Sequence, residues 1–283
     1  MDATDQPVLV PYESARRRLW GDPQAGILSD WFYARTKRVN VNIFSIPAAG
    51  FARESAQNKC VFGADEVFYV LEGTMVINNP ETGETYRVNR GEASFFRKDT
   101  YNYAFSHGAT SLRGLEFFHP TPDSGAGRDY VTSKPPLQRV RYGRDELIGR
   151  WPMAREQARE EATIWVIGER DYLWRLEGEI SALLTGLIIS TEHSTVGKHY
   201  VAPGQRTDEL IYGGDKVLFV EEGTLHVEFP KSRDWFELGR YDGLVVPEGL
   251  PHRYYNESRS EETKALFVVA PRYFPGRSNE GEA

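Results

Sequence analysis

The chain contains a second copy of itself. Residues Phe62–Ser106 run without a gap onto Tyr212–Asn256, and Gly63, Asp65, Val67, Val70, Glu72, Gly73, Thr74, Pro80 and Arg90 recur as Gly213, Asp215, Val217, Val220, Glu222, Gly223, Thr224, Pro230 and Arg240. A repeat of this length implies duplication of a whole folding unit, so the chain must build two similar units whose interiors are free to diverge. At 283 residues it is long enough for each to bury a core of its own.

Both copies read as runs of short strands. In the first block the expected strands are Asp30–Tyr33, Arg38–Ile46, Glu66–Leu71, Thr74–Asn78, Glu84–Val88, Ala93–Arg97 and Leu112–Phe118. They are separated by turn chemistry at 47–50, 72–73 and 79–83. The second block repeats the pattern with Leu183–Ser190, Val196–Val201, Val217–Val220, Thr224–Phe229, Trp235–Leu238, Gly243–Val246 and Lys264–Val269. Such antiparallel strands with a turn every 8 to 12 residues predict an all-β sandwich or barrel, twice over.

Between the blocks, Pro120–Lys134 reads as a linker and Pro152–Glu161 as a polar connector helix. The expected organisation is an N-terminal unit over 1–119, a connector over 120–162 and a C-terminal unit over 163–283. Arg139, Arg141, Arg144 and Arg150 lie among acids there and predict a solvated, salt-bridged surface.

A net charge of -7 argues against a nucleic-acid or membrane surface, because no basic field draws in phosphates. That leaves a small-molecule or protein partner. The single cysteine, Cys60, excludes an internal disulfide, and no span of about 18 apolar residues occurs. The expectation is a soluble, cytoplasmic protein.

The two blocks resemble the cupin family, whose small jelly-roll barrels carry a first motif G-x5-H-x-H-x3/4-E-x6-G and a second motif G-x5-P-x-G-x2-H-x3-N. In the second block the matching residues are Gly204, Gly223, Pro247, Gly249, His252 and Asn256; in the first they are Glu66, Gly73 and Gly91. The resemblance spans Arg38–Phe118 and Val196–Pro271 and implies two tandem jelly-roll barrels joined by a short helical connector. It also implies a homodimer, and an inward-facing set of three His and one Glu that holds a divalent metal.

The departures bear on that metal. In the second block Leu210 and Tyr212 stand at the first-motif His positions and Lys216 at the Glu position; in the first, Cys60 and Phe62 replace the His pair, and Asn102 and Ser106 replace the second-motif His and Asn. A transition-metal site needs three or four converging donors, usually with imidazole among them. The expectation is therefore no metal cofactor. The alternative kept open is Fe, Mn, Ni or Zn near His252, with His193 or His199 as further ligands.

The chemistry left over is acid–base. A Lys216 ammonium near His252 would hold the imidazole neutral, and burial would lower the lysine as well. Together with Tyr212 these make a general acid and base for isomerisation, epimerisation or elimination on a small sugar- or carboxylate-type metabolite. Lys216 could instead pair with Asp215 or Glu237 as framework.

In the first barrel, Glu66 among aromatics is a further candidate acid or base, or else a carboxylate bridged to Arg97, Lys98 or Arg113. Asn102, Cys60 and Phe62 are candidate substrate contacts there, as Tyr254 and Asn256 are in the second barrel. Cys60 is read as a buried, inert thiol, and Tyr101 and Tyr103 as covering the outside of the barrel. Alternative readings are a ligand-binding cupin without turnover and a metal-dependent cupin enzyme with an unusual ligand set. Of the two barrels, the second is expected to carry function.

Overall fold

The computed structural model describes residues 6–121 and 133–276. Most of the expected linker lies outside the described residues. The first half supplies β1 (Val8–Val10), β2 (Arg16–Asp22), β3 (Gly26–Arg35), β4 (Asn40–Ile46) and β5 (Phe51–Ala52). It continues with β6 (Asp65–Glu72), β7 (Thr74–Asn78), β8 (Thr85–Asn89), β9 (Ala93–Phe96), β10 (Tyr103–Ser106) and β11 (Leu112–His119). A short helix, α1 (Arg155–Glu160), precedes β12 (Ile164–Ile167), β13 (Leu173–Glu177), β14 (Leu183–Ser190) and β15 (Thr195–Val201). Then follow β16 (Asp215–Glu222), β17 (Leu225–Phe229), β18 (Asp234–Leu238), β19 (Gly243–Val246), β20 (Arg253–Tyr255) and β21 (Thr263–Ala270).

These strands form two barrels of one design. In the first, a seven-stranded sheet in the order β12-β9-β6-β11-β4-β3-β2 closes on the sheet β5-β10-β7-β8; in the second, β1-β19-β16-β21-β15-β14-β13 closes on β18-β17-β20. Corresponding strands hold corresponding places, which is how the 150-residue repeat appears in space. Two of the shared glycines show why they recur: Gly73 and Gly223 turn the chain at φ +82° and +81°. A Cβ on Gly223 would meet Thr263 Oγ1 at 2.7 Å, and one on Gly73 would meet Ser111 O at 3.0 Å.

The barrels exchange edge strands. β1 pairs antiparallel with β19, Val8 opposite Val245 and Val10 opposite Gly243, while β12 pairs with β9, Ile164 opposite Phe96. The boundaries read from sequence, 1–119 and 163–283, are therefore crossed in both directions, because each unit lends a strand that satisfies the other's open edge. The reading of the sequence includes neither strand; three and four residues are too short a run to show a period. Truncating the chain before Tyr12 exposes the Gly243–Val246 edge, with an expected loss of about 2 kcal/mol from unsatisfied ladder bonds and lost apolar burial. Urea unfolding checks this, and an unchanged midpoint would contradict it.

Alternation along the strands splits the core into layers. On β6, Phe68 and Val70 face the first barrel's interior with Phe44, Ile46 and Phe96, whereas Val67, Tyr69 and Leu71 face a shared core with Val217, Phe219, Leu266 and Val268 of the second barrel. The large sheets thus pack back to back, and β6 is buried on both faces. At this junction Tyr69 donates to Glu221 Oε1 at 2.8 Å, and Arg97 spans Asp65 of the first barrel and Glu192 of the second at 2.6 and 2.8 Å. In the connector, Arg141 and Arg144 pair with Glu146, and Arg144 also with Glu161, as the salt-bridged reading expects.

Candidate functional site

The second barrel brings its expected residues together and then spends every one of them internally. Lys216 on β16 is 1% exposed and its Nζ donates to His199 Nε2 at 2.7 Å, which leaves His199 Nδ1 for Thr185 Oγ1 at 2.9 Å. The expected pairing of Lys216 with Asp215 or Glu237 does not occur, because those carboxylates lie outside the barrel beside Arg38 and His226. The Lys216 ammonium position sits 3.6 Å from the ring centre of Tyr212, whose hydroxyl donates to Glu177 Oε2 at 2.8 Å. Tyr273 donates to the other Glu177 oxygen.

His252 is held just as closely. Its Nδ1 donates to Leu250 O at 2.9 Å and its Nε2 accepts from Tyr254 at 2.9 Å. Burial, with Lys216 adding to it, pushes His252 down to about 3; burial also pushes His199 and Lys216 well down. The neutral imidazole expected from sequence is therefore present, but no nitrogen of it is left for a substrate. Asn256, expected to touch substrate, instead donates to Val201 O and Glu261 O at 3.0 and 2.8 Å and pins the loop after β20. Tyr254, likewise, is closed in by His252.

The first barrel is open. A cavity of about 410 Å³ lies inside it, lined by residues of β2, β3, β4, β10 and β11 with Cys60 and Phe62 from the loop before β6. Cys60, Phe62 and Asn102, expected as substrate contacts, all line it. Burial raises the Cys60 thiol well above its ordinary range, so it is the inert thiol expected. Glu66 lies below this lining, 1% exposed. The expected ion pair with Arg97, Lys98 or Arg113 is absent: Arg97 and the Lys98 amide serve Asp65, and Arg113 serves Glu72. Burial raises the Glu66 carboxyl well above its usual range, with the charges of Glu116 and Asp65 adding to the effect. Glu66 Oε2 and Asn102 Nδ2 are buried without a hydrogen-bond partner among the described residues. Tyr101 and Tyr103 do face away from the cavity, but they are buried, with Tyr101 donating to Pro135 O at 2.8 Å.

The strongest chemistry in this cavity comes from residues that the sequence reading missed. Asp30 on β3, Asn40 and Asn42 on β4 and Glu116 on β11 all point inward. Glu116 stands directly opposite Asn42 across the strand pair and accepts from its Nδ2 at 2.7 Å; Asn40 donates to Asn42 Oδ1 at 3.0 Å and so fixes the amide's orientation. Burial holds the Asp30 carboxyl up at about 7. Glu116 is pushed up to about 8 by burial and by the neighbouring Asp30 charge, against the Asn42 hydrogen bond. Their signal was present in the sequence: Asn40 and Asn42 share the alternation of Phe44 and Ile46, and Glu116 that of Phe118, so three polar side chains had to enter an apolar interior.

The family's metal does not fit these residues. In the second barrel both His252 nitrogens and both His199 nitrogens are engaged and Lys216 takes the carboxylate's place. In the first, no imidazole lines the cavity. Among the described residues the one group whose ligand atoms lie within 4.8 Å of one another is Asp65, Glu192 and His193, between the barrels. There the Arg97 guanidinium already bridges both carboxylates.

No family model matches the chain, and no curated protein matches it in sequence. Solved structures do match its fold. A protein of Pseudomonas aeruginosa described as glyoxylate-induced superposes with a TM-score of 0.67 at 13% identity, covering 99% of this chain and 92% of that one. Protein Ylba of E. coli gives 0.63 at 9% identity over 95% and 93%, and an oxalate decarboxylase of Bacillus subtilis gives 0.61 at 9% identity over 94% and 78%.

Proposed function

Because the chain is a two-barrel cupin by fold, we propose that its first barrel is the working one. In this reading it takes a small polar metabolite of sugar or carboxylic-acid type and performs acid–base chemistry that needs no metal, such as isomerisation, epimerisation or elimination. The observation that supports this is the pair Asp30 and Glu116, two carboxyls inside one cavity with affinities for the proton near neutral pH. Near pH 7.5 one member is ionised and the other protonated, which is the requirement for a base and an acid acting in one turnover. The ionised carboxylate takes a proton from carbon as the electron pair moves toward the substrate oxygen, and the protonated carboxyl supplies a proton to that oxygen or to the opposite face. Asn42 aims Glu116, while Asn102, which lines the cavity and whose Nδ2 has no partner among the described residues, has hydrogen-bonding capacity to give a polar ligand. The second barrel, in this reading, is a packed support.

Filling the cavity tests the reading. Ala104 lines it and is buried, so Ala104→Phe occupies space that a ligand needs. In a thermal-shift screen against hydroxy acids, keto acids and sugars, wild type is expected to be stabilised by at least one compound. The same compound should lose at least 80% of its shift with the variant. A response that survives the filled cavity would place binding elsewhere.

A further inference from the structure

A second cavity of about 410 Å³ lies against the first, lined by the segment after β1, by Arg16 and Arg18 of β2 and by Phe32–Arg35 of β3. The two cavities share Arg18, Phe32 and Arg35. β2 is the edge strand of its sheet, and its register puts Arg16 opposite Phe32 and Arg18 opposite Asp30. Directly opposed residues stand on one face with Cβ atoms about 5 Å apart, so Arg18 and Asp30 look the same way. They nevertheless form no ion pair: Asp30 is buried, Arg18 is exposed, and neither Arg16 nor Arg18 has an acidic partner among the described residues. In a chain of net charge -7, Arg16 and Arg18 thus set two cations without acidic partners among the described residues at the mouth of a carboxyl-lined pocket.

We propose that the two cavities are one bipartite site, in which Arg16 and Arg18 hold an anionic group of the substrate and the barrel cavity takes its uncharged, reacting part. The inference rests on the first barrel being the working one and adds the substrate class. Guanidinium groups fit carboxylate and phosphate oxygens through paired N–H donors. With the arginines one strand from Asp30, the anion is set only a few bonds from the carbon whose proton is moved. The substrates that meet this geometry are short hydroxy or oxo acids and phosphorylated hydroxy compounds. An anion held at the rim also stays clear of the ionised carboxylate of the interior, where the protonated carboxyl donates a hydrogen bond to hydroxyl or carbonyl oxygen.

Titration of malonate and of inorganic phosphate, each alone, into wild type at low ionic strength tests the rim without requiring turnover. At least one is expected to bind, at least tenfold more weakly to R16Q/R18Q and within threefold of wild type to D30N/E116Q. Tighter malonate identifies a carboxylate handle, tighter phosphate a phosphoryl one. Both arginines are exposed, so the variant should keep the wild-type unfolding temperature, which is measured alongside. The proposal is overturned if neither anion binds, if affinity survives loss of both arginines, or if the D30N/E116Q variant loses it, since the anion would then sit inside the barrel. Failure of the acid–base reading shows separately, as turnover or uncharged-ligand binding that is indifferent to D30N/E116Q while the arginines still bind the anion.

Discussion

Replacing Asp30 with Asn and Glu116 with Gln together is expected to abolish turnover and to make the protein more stable at alkaline pH. Loss of a positioned acid or base typically costs 10²–10⁴ in rate, and here both are removed. The gain in stability follows from the same pair. An ordinary carboxyl releases its proton near pH 4, but the folded protein holds Asp30 to about 7 and Glu116 to about 8. Over that window the folded state binds more protons than the unfolded one, so stability falls as pH rises from about 4 and the loss is complete above about 8. One pKa unit is about 1.4 kcal/mol, so the shifts taken alone amount to about 4 kcal/mol for Asp30 and about 5 kcal/mol for Glu116. The two shifts overlap through mutual repulsion, and Glu116 keeps some contact with solvent, so on the order of 5 kcal/mol is expected for the pair. Neutral amides of the same shape remove this cost. Urea unfolding from pH 5 to 9 should show the double variant gaining on wild type as pH rises, read as the difference between the two curves, because Glu66, Lys216 and His252 titrate in both. Wild-type activity should peak between about pH 7 and 8, where one carboxyl is charged and one is not. A difference curve without pH dependence in this range would remove the basis for the acid–base pair.

The sequence revealed the architecture because duplication writes the same constraint twice. Gly73 and Gly223 turn the chain at the same place, and the strands between them and their neighbours alternate clearly enough to fix the faces. What stayed hidden is non-local. β1 and β12 are placed by the open edges of β19 and β9, and nothing within their few residues states which sheet they join. The contacts inside the second barrel stayed hidden for a related reason. Motif positions identify which side chains enter a barrel, and Lys216, Tyr212 and His252 do enter. Whether they meet a ligand depends on what else enters: His199, Glu177 and Tyr273 come from strands and loops outside the motif, and Tyr254, inside it, gives its hydroxyl to His252. In the first barrel the motif led to Glu66, Cys60 and Asn102. The buried carboxyls Asp30 and Glu116 lie on β3 and β11, outside the motif, where only alternation marked them.

The second barrel yields the converse experiment, in which a large change in stability should leave function untouched. Glu177 accepts from both Tyr212 and Tyr273 and is the carboxylate whose charge supports Lys216. Glu177→Ala strands two buried phenols, each costing about 1–3 kcal/mol, and removes that support, so a loss on the order of 4 kcal/mol is expected. Lys216→Met acts in the opposite sense. Burial holds the lysine well below its ordinary range, so the unfolded chain binds a proton that the folded one resists; the contribution of Lys216 to stability therefore rises with pH toward about 10. Methionine fills similar space without that cost, although His199 Nε2 loses its donor, which offsets about 1–3 kcal/mol of the gain. The clearest sign is the slope of the difference: the gain of Lys216→Met over wild type should shrink as pH rises toward about 10. Ligand-induced thermal shifts from the first barrel should stay within twofold of wild type in both variants, measured at a temperature where each is folded. If Lys216→Met instead abolishes ligand response while the protein remains folded, the amine and not the carboxyl pair is the working group, and the second barrel must open in a way that frees His252 from Tyr254.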